Sequence, residues 1–371
     1  MDAALILQKA DLFYYSGMIQ DASLYVPSNG EPLLMVRKDA GRASRESRIE
    51  AILPYRNFYQ IPAILKERGI SFPRILGMEL DVLPFNLYTA FSQLFENVRI
   101  DDISPEIRLQ RAVKSEYELT IMAEAGRLAD RMLASVPEFL VEGISEIELA
   151  GKIEARARKM GHQGMVRMRL WGGELFYGHV MAGPSAAEPS FLASPTGGEG
   201  PNPSIAQNAG FRPIGRNEPV LVDYVFAFNG YIADQARIYA IGELPDRLMA
   251  GHAAMLALQN TLKAEARPGV RVGDIHAMAV KIADSLGLGD FFMGAVEPRI
   301  PFIGHGVGLE LDEYPFIAKK QTLALELGMT IALEPKLIFP GLGVVGIENT
   351  HVVTPAGLRP FTTFTEDICI L

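Results

Sequence analysis

The segment VLVDYVFAFNGYIADQARIYAIG, Val220 to Gly242, restricts the fold more than any other stretch of the chain. Two β-rich runs flank Asn229-Gly230, a dipeptide favoured in two-residue hairpin turns because both central residues need positive φ. If these residues form the turn, Phe228 pairs with Tyr231 and Asp234 lies opposite Val225. Val225 shares a strand face with Asp223, since alternate residues point the same way. The two aspartates are then diagonal neighbours, with backbones about 7–8 Å apart. The rest of that face is apolar: Val225, Ala227, Ile232 and Ala236. Two carboxylates so placed repel each other and lose hydration, so the pair calls for a metal ion or, as the alternative, for an arginine or a capping amide. Arg237 falls on the opposite face by the same parity and cannot serve both.

Two further acids have similar surroundings. Glu334 lies in MTIALEPKLIF and Glu348 in GVVGIENTHVV, each an apolar, strand-like run. His305 sits between glycines in FIGHGVGLELDEYPFI, where the missing side chains leave room for a ligand and for substrate. Four carboxylates and a neutral imidazole carry a charge that two divalent cations cancel.

Bulk properties narrow the context. A chain of 371 residues suggests two domains, and 49% apolar residues suffice for sizeable cores. A net charge of −9 argues against a nucleic-acid partner, which would want a basic face. Cys369 is the one cysteine, so an internal disulfide and a cysteine-based zinc site are excluded. MDAALILQKADLF lacks a basic leader and reads as a first helix. No apolar run approaches the roughly 18–20 residues that span a bilayer. A soluble cytoplasmic protein with no membrane partner is expected.

The first 113 residues read as an α/β domain. DLFYYSG reads as a strand, SLYVPSNGEPLLMVRKD as two strands about Asn29-Gly30, and IPAILKERG as a helix closed by Gly69. RIDDISPEIRLQRAVKSEYE reads as a connector, with the domain boundary near Val113 and the second domain covering 114–371. Ser115 with Glu118, and Ser145 with Glu148, have the spacing of capping boxes. Gly143 to Gly161 and Gly269 to Gly287 each run from a loop glycine through a helix to a closing glycine. Each follows a long helix and precedes strand-like segments, so a duplicated helix–helix–sheet unit is expected.

The order Asp-x10-Asp, Gly-His-Gly-x-Gly-Leu, Glu-Pro and Gly-x-Glu resembles the pita-bread metallopeptidases: methionine aminopeptidase, aminopeptidase P, prolidase and creatinase-like relatives. RAVKSEYELTIMAEA is similar to the entry of the catalytic domain in aminopeptidase P and prolidase, and the resemblance covers nearly the whole chain. It implies a creatinase-like α/β N-terminal domain and an α+β pita-bread catalytic domain with an internal pseudo-two-fold repeat. It also implies two divalent ions, manganese, cobalt, iron or zinc. Asp223 would bind one, His305 and Glu334 the other, with Asp234 and Glu348 bridging and Glu334 shuttling a proton. The implied reaction is hydrolysis of a peptide or amide C–N bond, as in Xaa-Pro aminopeptidases and dipeptidases. A small peptide or amide substrate and a homodimer are the implied partners.

Two departures stand out. The family motif continues Gly-Leu-x-x-His-Glu-x-Pro, whereas Asp312 occupies the histidine position here. HVMAGPSAAEPS resembles a family stretch ending Pro-His, but Ser190 follows Pro189. Both auxiliary histidines are thus replaced, and Asp312, Ser190 and His179 are the candidate substrate-binding residues. An ionised Asp312 would favour a substrate amine. The loop FLASPTGGEGPNPSIAQ reads as a lid or a passive insertion. His162, His252 and His276 are expected at the surface, and His351 is expected to be structural. Two alternatives remain: a non-peptide, creatinase-like C–N hydrolase, and a non-catalytic binding protein that keeps the pocket.

Overall fold

The computed structural model describes residues 1–171, 174 and 176–371. Contacts divide the chain into a unit spanning Met1–Gln110, joined by a few residues near Trp171, and a second that begins at Arg111.

In the first unit, β1 (Ala3–Ile6), β2 (Ala22–Pro27), β3 (Leu33–Val36), β4 (Ala51–Pro54), β5 (Ile75–Met78) and β6 (Arg99–Asp102) form one mixed sheet. Its order is β4-β3-β2-β1-β5-β6. The chain start differs from expectation: Ala3–Ile6 is a strand, and most of DLFYYSG lies in the helix Lys9–Ser16. A short apolar run carries no period that separates a strand from a buried helix. The boundary is set instead by Gln8, whose side chain accepts from Asp11 N, and by Gly17 at φ +77°. The expected connector is also ordered, as β6 and the helix Ser104–Ala112.

The second unit carries β7 (Gly178–Ala182), β8 (Val220–Phe228), β9 (Tyr231–Ala240), β10 (Phe302–Gly306), β11 (Glu313–Ala318) and β12 (Thr330–Leu333). It continues with β13 (Lys336–Phe339), β14 (Gly343–Gly346), β15 (Asn349–Thr354), β16 (Gly357–Pro360) and β17 (Cys369–Ile370). Among the described residues these make three sheets, ordered β17-β9-β8-β7, β11-β10-β12-β15-β16 and β13-β14.

Two helix pairs support the sheets. Glu116–Leu133 and Glu146–Lys159 bury Leu128, Met132, Leu149 and Ile153 against Val220, Val222, Tyr224 and Phe226 of β8. Asp246–Glu265 and Val272–Ser285 bury Met255, Leu258, Leu262 and Ile275 against Ile303, Ile331 and Leu333. The expected duplication is visible in the glycines: Gly143, Gly161, Gly269 and Gly287 all have positive φ at the ends of the shorter helices. Ser115 and Glu118 form a reciprocal capping box, and Ser145 accepts from Glu148 N. Because even-numbered β8 residues face the helices, Asp223 is left on the other side of the strand.

Candidate metal centre

The hairpin has the register that the turn dictates. Phe228 pairs with Tyr231, Val225 with Asp234 and Asp223 with Ala236. Ala236 also bridges to Glu348, which brings the acid of the GIEN segment onto the hairpin. Arg237 fixes that junction. Its guanidinium donates to Ala236 O at 2.8 Å and Glu348 O at 2.9 Å, and to the Asn349 side chain at 2.8 Å. It serves backbone and amide oxygens on the far face rather than the aspartates.

His305 comes from β10, where it pairs with Ala332 of β12 and Phe316 of β11. The flanking glycines have a different cause from the one expected. A Cβ at Gly304 would meet Ala332 O at 2.5 Å, and one at Gly306 would collide with the Tyr314 carbonyl oxygen. They let β11 and β12 close against β10, and that crowding holds the imidazole in place. Glu334 follows β12 directly, its N–H donating to Ile303 O at 3.0 Å. Thr350 pins the Asp234 backbone from both sides: its hydroxyl accepts from Asp234 N and donates to Asp234 O, each at 2.8 Å.

All five residues expected as metal ligands converge in a buried cluster. Nε2 of His305 lies 3.9 Å from Asp234 Oδ2, 3.8 Å from Glu334 Oε1 and 3.9 Å from Glu348 Oε1. Asp234, His305 and Glu348 offer ligand atoms that all lie within 4.8 Å of one another. Asp234 Oδ1 is buried and has no hydrogen-bond partner among the described residues.

One member of the cluster was not anticipated. Lys336 Nζ donates to Asp223 Oδ2 at 2.7 Å, Glu334 Oε2 at 2.8 Å and Glu348 Oε2 at 2.7 Å. Its side chain is 1% exposed. The signal was present in the sequence, since a lysine in MTIALEPKLIF is as out of place as the glutamate two residues before it.

The electrostatics follow from this asymmetry. Burial opposes the charge on Lys336, but Asp223, Glu334 and Glu348 outweigh it and raise its pKa well above the ordinary lysine value. Burial raises Asp223, yet Lys336 and His179 prevail and hold it below the carboxylate range. Asp234 moves the other way, driven well up by burial and then by Glu348 and Asp223. Glu348 is likewise raised, by burial and by Asp223 and Glu334 against the pull of Lys336. Burial lowers His305, but Asp312, Glu334 and Asp234 overcome it and raise it. Lys336 offsets the charge on the Asp223 side, whereas on the Asp234 side burial and mutual repulsion disfavour the ionised carboxylates unless a cation joins them.

The residues therefore fit a divalent cation on the Asp234 side. Asp234, His305 and Glu348 supply the mixed O/N donor set that such ions accept, with Glu334 Oε1 beside them. The three oxygens gathered by Lys336 are already spent on an ammonium.

The substrate candidates divide. His179 pairs with Asp223 across β7 and β8, its Nδ1 lies 3.1 Å from Thr196 Oγ1, and burial lowers it to about 4. It is neutral at pH 7, and its Nε2 has no hydrogen-bond partner among the described residues. Asp312 has φ +59° and turns its carboxylate to His305 Nδ1 at 3.3 Å. Ser190 is engaged locally, its hydroxyl accepting from Leu192 N at 3.2 Å. The loop beyond it is packed rather than loose: Gly198 N donates to Glu188 O and Gly200 N to Asn208 O, both at 3.0 Å, and Thr196 is fully buried. Two histidines expected at the surface are buried, His162 with Nε2 3.0 Å from Val225 O and His252 with Nε2 2.8 Å from Glu366 O. His351 is fully buried on β15, paired with Ile331.

Family models match both parts of the chain. The model for metallopeptidase family M24 covers residues 120–355, and that for the creatinase/prolidase N-terminal domain covers residues 1–113. A putative dipeptidase of Bacillus subtilis, YkvY, is 26% identical over 100% of this chain and 95% of its own. The Xaa-Pro dipeptidase of Pyrococcus furiosus is 26% identical over 98% of this chain and 93% of its own. Among solved structures, the X-Pro aminopeptidase of Thermotoga maritima superposes with a TM-score of 0.84 at 22% identity, covering 100% of this chain and 98% of that one. A dipeptidase of Pyrococcus horikoshii gives 0.81 at 26% identity, covering 100% and 96%. The chain thus has the expected architecture, a creatinase-type α/β domain followed by a pita-bread domain.

Proposed function

The chain belongs to metallopeptidase family M24, and from that premise we propose that it is a metal-dependent hydrolase of Xaa-Pro peptides, dipeptides foremost. The observation that carries this reading is the buried Asp234–His305–Glu348 cluster, with its unpartnered Asp234 Oδ1. A divalent ion held there, manganese, cobalt, iron or zinc, supplies Lewis acidity that lowers the pKa of water and polarises a carbonyl.

The side chains divide the remaining work. Glu334 takes the proton from the attacking water and delivers it to the leaving amine; its Oε1 faces His305 while Oε2 is held by Lys336. His179, neutral and with Nε2 unpartnered, offers a hydrogen bond to the substrate. Asp312 orients His305 through Nδ1, and its partly exposed carboxylate favours substrates with a free amine. The same reading takes 1–113 and 114–371 as the two domains and expects a cytoplasmic homodimer. No helix among the described residues is long and apolar enough to cross a membrane. Sedimentation at micromolar concentration checks the dimer, which a monomer would contradict.

The deciding experiment is a substrate panel for the metal-loaded protein: free Xaa-Pro dipeptides, longer Xaa-Pro peptides, N-blocked analogues and small amides. Dipeptides with a free amine are expected to turn over fastest. Turnover of small amides alone would overturn the peptidase assignment in favour of a non-peptide C–N hydrolase.

A further inference from the structure

Resting on the metal-dependent reading above, we propose that Lys336 stands in for one of two cations, so that this site holds a single divalent ion. The ion would lie between Asp234, His305 and Glu348, with Glu334 Oε1 alongside, and Asp223 would serve as a counter-ion to lysine rather than as a ligand.

The ammonium already fills the space that a second ion would need. Lys336 Nζ is within 2.7–2.8 Å of one oxygen each from Asp223, Glu334 and Glu348. A metal drawn to those oxygens would sit at about 2.0–2.2 Å from each. An ammonium and a dication cannot share that position, and their like charges would repel at such a distance.

Lys336 is also confined. It opens β13 and pairs with Gly346 of β14, whose φ of +149° is a conformation that residues with side chains rarely adopt. A Cβ there would run into Pro335 O and come within 2.7 Å of Lys336 Cα. The Lys336 carbonyl accepts from Met293 N at 3.1 Å. With the backbone held on both sides and the side chain 1% exposed, the ammonium is buried within the cluster.

Charge shows that a cation is still needed beside the lysine. Asp223, Asp234, Glu334 and Glu348 bring four negative charges when ionised, and Lys336 returns one positive charge. One divalent ion then leaves the buried cluster with one net negative charge and two would leave it with one net positive charge, so the number of ions is decided by the space that Lys336 fills. Asp234 Oδ2, Glu334 Oε1 and Glu348 Oε1, gathered 3.8–3.9 Å from His305 Nε2 and away from the oxygens that Lys336 holds on the two glutamates, mark the side where the remaining cation belongs.

The test is metal stoichiometry by elemental analysis after loading with manganese, cobalt or zinc and removal of free ion. The wild-type chain is expected to retain one ion, Lys336→Arg one, and Lys336→Ala or Lys336→Met two. Circular dichroism of each variant confirms folding. Anomalous diffraction from loaded wild-type crystals gives a reading that needs no variant: one peak at Asp234, His305 and Glu348, and none against Asp223. Two ions in the wild type, or one ion in the folded Lys336→Ala and Lys336→Met proteins, would overturn the role of Lys336. Zero ions in every form would instead overturn the metal-dependent reading on which it rests.

Discussion

Asp312 Oδ1 lies 3.3 Å from Nδ1 of His305, while Nε2 of the same ring faces Asp234, Glu334 and Glu348. A carboxylate on Nδ1 keeps the proton there and leaves Nε2 as the lone-pair nitrogen, which is how metal-binding histidines are oriented. Gly306 O, 3.2 Å from Nδ1, supports the same tautomer. Asp312 reaches the ring from a left-handed backbone conformation that aspartate tolerates better than most residues. Replacing it with alanine is expected to weaken divalent-metal affinity about 10–100-fold, measured by competition with a fluorescent chelator. Unchanged affinity, with an effect confined to KM for amine-bearing substrates, would leave Asp312 as a substrate contact only.

The glycines around His305 give a stability prediction. A methyl group at Gly306 has no vacancy to enter, because the Tyr314 and Glu313 carbonyl oxygens of β11 already occupy it. Gly306→Ala should cost about 1–3 kcal/mol in urea unfolding, the usual penalty for overpacking. A variant as stable as the wild type would show that β11 is not held as closely as described.

Arg237 is the largest fully buried side chain, and its hydrogen bonds join the hairpin to the strand that brings Glu348. It also donates to Phe364 O and Thr365 O, each at 2.7 Å. Arg237→Met would leave these oxygens without donors and should destabilise the protein by about 3–5 kcal/mol. Chemical denaturation checks this; a loss under 1 kcal/mol, on the order of an exposed pair, would contradict it.

Acid stability should depend on Glu313. Burial raises its carboxyl, but Arg111 and Lys114 outweigh that and hold it at about 2. A depressed folded-state value contributes stability that is fully present above the unfolded value near 4.5 and is lost as pH falls towards 2. The contribution is about 3 kcal/mol. In denaturation series from pH 6 to pH 2, Glu313→Gln should start less stable and lose less on acidification. Parallel curves for the two proteins would remove Glu313 from the account.

Much of the hairpin was legible because Asn229-Gly230 fixes the turn, and the turn fixes every pair up to Val220 with Tyr239. The out-of-place acids Glu334 and Glu348 were legible for a related reason: a charge in an apolar strand needs a partner. Lys336 escaped although the same logic covered it, because a lysine can extend its charge to water and so reads as innocent. Only the structure shows that it points inward. The helix Lys9–Ser16 was misread because it depends on two caps and not on periodicity. The burial of His162 and His252 was hidden for another reason. Each ring bonds a carbonyl distant in sequence, Val225 O and Glu366 O, which no local pattern announces.

Metal dependence is tested most directly by proline release from an Xaa-Pro dipeptide by a single preparation, followed through chelation and reloading with manganese, cobalt or zinc. Turnover should vanish on chelation, return on reloading, and be absent from folded His305→Ala at every stage. Turnover that survives complete removal of metal, or a His305→Ala protein as active as the wild type, would contradict it.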